Sequence, residues 1–328
     1  MKSLSIKKGN LLILITTNKS LDIACSSKLS IDFNWLPKLD YGIINDVFFI
    51  DCEIPQNKSL QQTFQNLDLE HVKVLRVDCY NFHKHTPQYG MKLFQDFKDL
   101  ELLVVDCPGV KFGQDDLRHL TSLKKLTLNI NNVEAPANVS SIAPSLESLE
   151  LYTDLIQIAI YSNQYEFNVK IRCLCETDDY INDIPTLVIE GNVKGFSISE
   201  CSLPHNNSLA IFKNKFNIEK FRTLSIESSE VNKNRTLSSE HFKGLEDVIG
   251  LLIKMIVMNS TEDAFKYLHN LEFLEITGNI VTTSSSPFEK LRLFRLDNSK
   301  FSMVPRNLIS SESITHFEII NNEVAWYH

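Results

Sequence analysis

Apolar residues recur along this chain in a fixed phase: an aliphatic residue, two mostly polar ones, an aliphatic, one residue, another aliphatic, then Asn or Cys three residues later. The clearest copy is Leu271, Leu274, Ile276, Asn279 and Val281, and two more read Leu123, Leu126, Leu128, Asn131, Val133 and Ile314, Phe317, Ile319, Asn322, Val324. Looser copies bring the number to eleven, with central positions at 47, 75, 103, 126 and 149 and at 196, 224, 251, 274, 294 and 317. Because strand side chains alternate, the fourth and sixth template positions face one side of a short strand. The ninth position is expected to turn the chain, its Asn bonding nearby backbone. Segments 91–97, 114–120, 239–245 and 262–268 precede strands and read as short helical or irregular returns.

One copy cannot bury its own apolar face, so neighbours must stack. The pattern predicts an α/β fold: a leucine-rich-repeat solenoid, or horseshoe, with short parallel strands on its concave face. At roughly 4.8 Å per strand, eleven strands make an arc of about 50 Å, suited to a macromolecule.

A second periodicity lies above the first. Positions 47, 75, 103 and 126 recur at 196, 224, 251 and 274, offsets of 149, 149, 148 and 148. Two modules are therefore expected, 1–154 and 155–328, each opening with a β-rich, cysteine-containing cap. Leu21 to Cys25 parallels Val169 to Cys173, and Asp51-Cys52-Glu53-Ile54-Pro55 parallels Glu200-Cys201-Ser202-Leu203-Pro204.

Net charge is −8 at a pI near 5.6 with Lys and Arg scattered, which argues against nucleic acid as a partner. Gly-rich phosphate loops, nucleophile elbows and metalloprotease helices are missing, so neither enzyme activity nor a cofactor is expected. His83-Lys84-His85 reads as exposed loop, with no metal. The apolar run Leu11–Ile15 is too short for a signal-peptide core and far too short for a membrane span. Six Asn-x-Ser/Thr sequons, at Asn18, Asn57, Asn138, Asn206, Asn234 and Asn259, point to a glycosylated extracellular surface.

Of seven cysteines, Cys52 and Cys201 fall on ninth positions, 27 residues after Cys25 and 28 and 26 after Cys173 and Cys175. One disulfide per cap is expected, with the choice between Cys173 and Cys175 open. Cys79 and Cys107 share the eighth position of consecutive repeats and would lie side by side, either bridged or as thiols.

The cap residues resemble the N-terminal ectodomain of arthropod Toll-type receptors. The likeness is carried by the apolar β run, Leu21 to Cys25, Leu36-Pro37 and Val47 to Pro55, and returns at Val169 to Cys173 and Phe196 to Pro204. It implies an extracellular or cell-surface module that recognises a protein ligand, a cystine-knot cytokine of the Spätzle type, in innate immune or developmental signalling, with dimerisation on ligand binding. This chain holds no TIR domain, so the resemblance implies part of a longer receptor or a secreted relative. The competing reading is a cytosolic leucine-rich-repeat adaptor.

On the template, positions two, three, five, seven and eight face solvent. In the first module the candidate ligand-binding residues are Asp51, Lys73, Arg76, Asp78, Glu101, Asp106, Lys124, Thr127, Glu150 and Tyr152. Asp78 and Asp106 stack in one column, an acidic row able to steer a basic ligand.

Overall fold

The computed structural model describes residues 4–8, 11–15, 19–25, 44–51, 59, 62, 69–78, 94–106, 117–129, 142, 145–153, 155–163, 166–174, 180–203, 208–229, 236–261, 263–281, 288–297 and 313–320. The chain divides into two compact units, Met1–Asp154 with Leu187–Glu190, and Leu155–Thr186 with Gly191–His328. Each is a leucine-rich-repeat solenoid of short parallel strands behind an antiparallel cap.

In the first unit the apolar run Leu11–Ile15 forms β2, flanked antiparallel by β1 (Leu4–Lys8) and β3 (Ser20–Cys25). From β3 onward the pairing is parallel, through β4 (Asp46–Ile50), β5 (Val74–Asp78), β6 (Leu102–Asp106), β7 (Lys125–Asn129) and β8 (Ser148–Tyr152). Val47, Leu75, Leu103, Leu126 and Leu149 stand directly opposite one another on successive strands, the register that the template requires. Two residues on, Phe49, Val77, Val105, Leu128 and Leu151 make a second row, and every member of both rows is at most 2% exposed. Burying a side chain of this size contributes about 1.5 to 3 kcal/mol. The row holds only because its neighbours complete it.

The second unit repeats the plan. Its cap pairs β9 (Ile156–Asn163) antiparallel with β10 (Glu166–Cys173), and includes a helical turn, α1 (Tyr180–Asp183), that the periodicity did not foresee. Parallel strands follow: β11 (Asn192–Ser199), β12 (Phe221–Ser228), β14 (Gly250–Ser260), β15 (Phe273–Val281), β16 (Leu293–Asp297) and β17 (His316–Ile320). The two-residue β13 (Thr236–Leu237) joins the far end of β14. Phe196, Leu224, Leu251, Leu274, Phe294 and Phe317 form the central row. The last of them is 40% exposed.

Among the described residues the returns are tight turns in the first unit, at 94–96 and 117–119. In the second they are the short helices α2 (Ile211–Lys215) and α3 (Ser239–Phe242), then a turn at 263–267. Ser238 and His241 cap α3 reciprocally, satisfying N–H groups that a helix start leaves open. Phe242, Phe265 and Phe288 follow one another at centroid distances of 5.7 and 6.0 Å, so each aromatic return packs on the next.

Both caps end in the same way. Asp51 and Glu200, at the eighth position of their repeats, have φ of 52° and 58°. Each donates its N–H to the next strand in sequence, Asp51 to Asp78 O at 2.8 Å and Glu200 to Glu227 O at 2.9 Å. The residue that follows each is a cysteine, and Cys173 and Cys201 form a disulfide.

One expectation is corrected. Asn279, at a ninth position, does not turn the chain; it continues β15, opposite Val257 of β14. One residue earlier Gly278 has φ 113°, and the pairing resumes after a register shift between Lys254 and Val257. A residue without Cβ adopts that φ at little cost.

Candidate ligand-binding face

In the first unit the strand residues between the buried rows point to solvent, and register sorts them into rows. The middle row is Phe48, Arg76, Val104, Thr127, Glu150. Towards the strand ends run Ile50, Asp78, Asp106, Asn129 and Tyr152, with Asp51 just beyond. Before the strands, Lys73, Glu101, Lys124 and Glu147 are linked by one continuing backbone ladder: each N–H from Glu101 onward bonds the preceding member's carbonyl at 2.8 to 2.9 Å. All ten candidate residues thus lie on this one side of the unit.

Charge is handled differently at the two ends of the strands. Glu101 lies 3.1 Å from the Lys73 ammonium and 3.0 Å from that of Lys124. The hydrogen bonds from Lys124 and Lys73 hold its carboxyl below the usual range. This row alternates in sign and satisfies itself. At the other end Asp51, Asp78 and Asp106 carry one sign. Burial pushes the Asp78 carboxyl up, the Asp106 carboxylate pushes it further, and Arg76 offsets part of this. Asn129 donates its side-chain amide to Asp106, and Tyr152 donates its hydroxyl to Glu150 at 2.7 Å.

Between these ends lies something the sequence reading passed over. Phe48, Ile50, Val74, Leu102 and Val104 occupy outward positions on β4, β5 and β6, and all are partly exposed. Arg76 stands among them, its guanidinium 5.2 Å from the Phe48 ring centroid, a cation–π distance. The signal was available. Phe48-Phe49-Ile50 and Leu102-Leu103-Val104-Val105 are continuous apolar runs where alternation calls for polar residues. Selecting only charged and polar side chains at the outward positions hid them.

The outward face of the second unit is braced by ion pairs: Arg295 reaches Glu318 at 3.4 Å and Glu275 at 3.9 Å, and Lys194 reaches Glu166 at 3.1 Å. Leu252, Phe273 and Leu293 are partly exposed there.

Cys25 is disulfide-bonded, while Cys52, Cys79, Cys107 and Cys175 lie outside the described residues. So do His83 to His85 and the sequons at Asn18, Asn57, Asn138, Asn206 and Asn234. The sixth sequon residue, Asn259, is exposed on β14. Among the described residues no His, Cys, Asp and Glu side chains gather as a metal site, and no helix is long and apolar enough to cross a membrane.

No family model and no curated protein matches the sequence. Among solved structures, the Drosophila Toll–Spätzle complex, described as a molecular hub in development and innate immunity, is similar at a TM-score of 0.44 and 13% identity, over 99% of this chain and 47% of that one. Its glycosylated form is similar at a TM-score of 0.38 and 16% identity, over 99% and 59%. This chain spans roughly half the length of those chains. At these values its fold rests on its own strand register, not on the likeness.

Proposed function

We propose that this chain is a protein-binding leucine-rich-repeat module of an extracellular Toll-type receptor or a secreted relative, and that the outward sheet face of its first unit is the binding surface. The observation that carries the reading is the cluster of Phe48, Ile50, Val74, Leu102 and Val104 around Arg76. Protein interfaces place apolar and aromatic side chains with Arg at the centre and leave charge to the rim. A folded sheet gains nothing from apolar groups on its solvent side.

Six strands at about 4.8 Å spacing, each about 16 Å long, offer a projected patch of about 400 Å². A standard interface takes about 800 Å² per partner. The ligand therefore also reaches the rows at either end of the strands, where seven of the ten candidate residues stand, with Arg76, Thr127 and Glu150 in the middle row.

The Cys173–Cys201 disulfide and the bonded Cys25 favour an oxidising compartment over the cytosolic adaptor reading. A cystine-knot cytokine as ligand, glycans on the sequons, a tandem pair of modules at 1–154 and 155–328, and dimerisation on binding belong to the same proposal.

The test is a photo-crosslinking amino acid placed at Val104, on the face, or at Lys98, on a turn, in the full chain exposed to conditioned medium. Discrete adducts at position 104 that vanish with Arg76→Ala support the reading. Equal labelling at both positions would end it.

A further inference from the structure

We propose that the outward face at the head of the second unit, around Lys170, Arg172 and Tyr161, binds a sulfated polysaccharide. This site is separate from the face of the first unit and stands or falls without it.

The duplication provides an internal contrast. Leu21 to Cys25 corresponds to Val169 to Cys173, and the inward aliphatics and the cysteine are kept, while outward Asp22 and Ala24 give way to Lys170 and Arg172. On the following rungs, outward Phe48, Val74 and Arg76 give way to Ser197, Thr223 and Ser225. Register gathers the second set on one side of the sheet: Lys170 stands opposite Ser197 and Ser197 opposite Ser225, while Asn168 stands opposite Gly195 and Gly195 opposite Thr223. Inward rows answer to the core and must stay apolar. Outward rows are not held by packing, so the fold itself does not demand this exchange of apolar groups for cations and hydroxyls.

Lys170 and Arg172 are exposed on one side of β10, about 7 Å apart along the strand, and among the described residues neither forms an ion pair. The residues opposite Lys170 on both neighbouring strands are uncharged, Ala159 on β9 and Ser197 on β11. Acids nearby are engaged elsewhere: Glu166 lies 3.1 Å from the Lys194 ammonium, and Glu200 accepts the Ser229 N–H at 3.1 Å. Two neighbouring cations without a counter-charge repel each other, and an anion relieves that repulsion. Tyr161, opposite Asn168 on β9, is 44% exposed on the same side. Its ring face is negative and suits the C–H groups of a pyranose, while a guanidinium and an ammonium suit sulfate oxygens. A protein partner calls for an apolar centre, which this floor of Ser197, Thr223 and Ser225 does not offer. The disulfide that closes the cap fits the extracellular setting of such polysaccharides.

A chain of net charge −8 is repelled by polyanions in general, so binding has to come from a local patch. The experiment titrates the full chain with heparin, with chemically desulfated heparin and with poly-L-glutamate at low salt. Heparin is expected to bind tightest, and to weaken as salt is raised. Lys170→Gln/Arg172→Gln should lower heparin affinity about fivefold to tenfold, and Lys170→Arg/Arg172→Lys should restore it. Tyr161→Ala should weaken heparin and leave poly-L-glutamate unchanged. Lys98→Gln/Lys125→Gln removes the same charge from the first unit and should change heparin affinity by less than about twofold. Thermal unfolding of each variant shows that the fold is kept; these side chains are exposed, and Tm should not move. No binding of heparin, equal binding of poly-L-glutamate or of the desulfated chain, or equal losses in the Lys170/Arg172 and Lys98/Lys125 variants would overturn the proposal.

Discussion

Asp78 carries the most informative titration in the first unit. Burial is the main cause lifting its carboxyl, with Asp106 and Asp51 adding and Arg76 subtracting. A carboxyl raised in the folded state is penalised when ionised, so the penalty is present above the raised pKa and absent below the unfolded one. Asp78→Asn should therefore stabilise the protein at pH 7, by on the order of 0.5 kcal/mol for a partly exposed group, or about 1 to 2 °C in Tm for a unit of this size. At pH 3 the gain should vanish. Thermal unfolding at the two pH values decides; an equal gain at both would assign the effect to packing.

Strands and caps fail in other ways. Leu126 is fully buried in the central row, and Leu126→Ala should cost about 2 to 5 kcal/mol by lost transfer and residual cavity. Its neighbour Lys125 points outward, and Lys125→Ala should stay within about 0.5 kcal/mol. Denaturant titration of both variants distinguishes a true register from a generic amphipathic packing, which would show similar losses. In the second unit the disulfide closes 28 residues. Removing it with Cys173→Ser/Cys201→Ser should cost roughly 3 to 4 kcal/mol on the chain-entropy account, and hydrogen exchange in β10 and β11 should rise first. Unchanged protection there would mean that the cap is held by packing alone.

For the whole molecule, secretion through an oxidising pathway should yield a product whose non-reducing peptide map contains the Cys173–Cys201 link and a glycan on the exposed Asn259. An unmodified sequon together with free thiols would return the chain to the cytosolic reading. Much of this architecture was legible in the primary structure. Eleven central positions picked by spacing alone meet each other rung by rung within each unit, since a parallel stack accepts one phase and buries whatever holds it. Less of the candidate face was legible. Its charged members followed from alternation, but Arg76 over Phe48 and the pairing of Glu101 with two lysines needed neighbouring repeats in place.

What the amino-acid order determined by itself is everything that repeats: strand phase, inward rows, the offset of about 149 residues between modules, and the caps with their cysteines. These follow from hydrophobic periodicity, which is local and summed over many copies. Tertiary structure alone decided what one residue does for a residue some 23 to 28 positions away. It set which acids share a row, which lysines neutralise Glu101, where apolar groups gather on the wet side of the sheet, and that Asn279 continues its strand. Those outcomes depend on distances across strands, and a repeat read one copy at a time contains none of them.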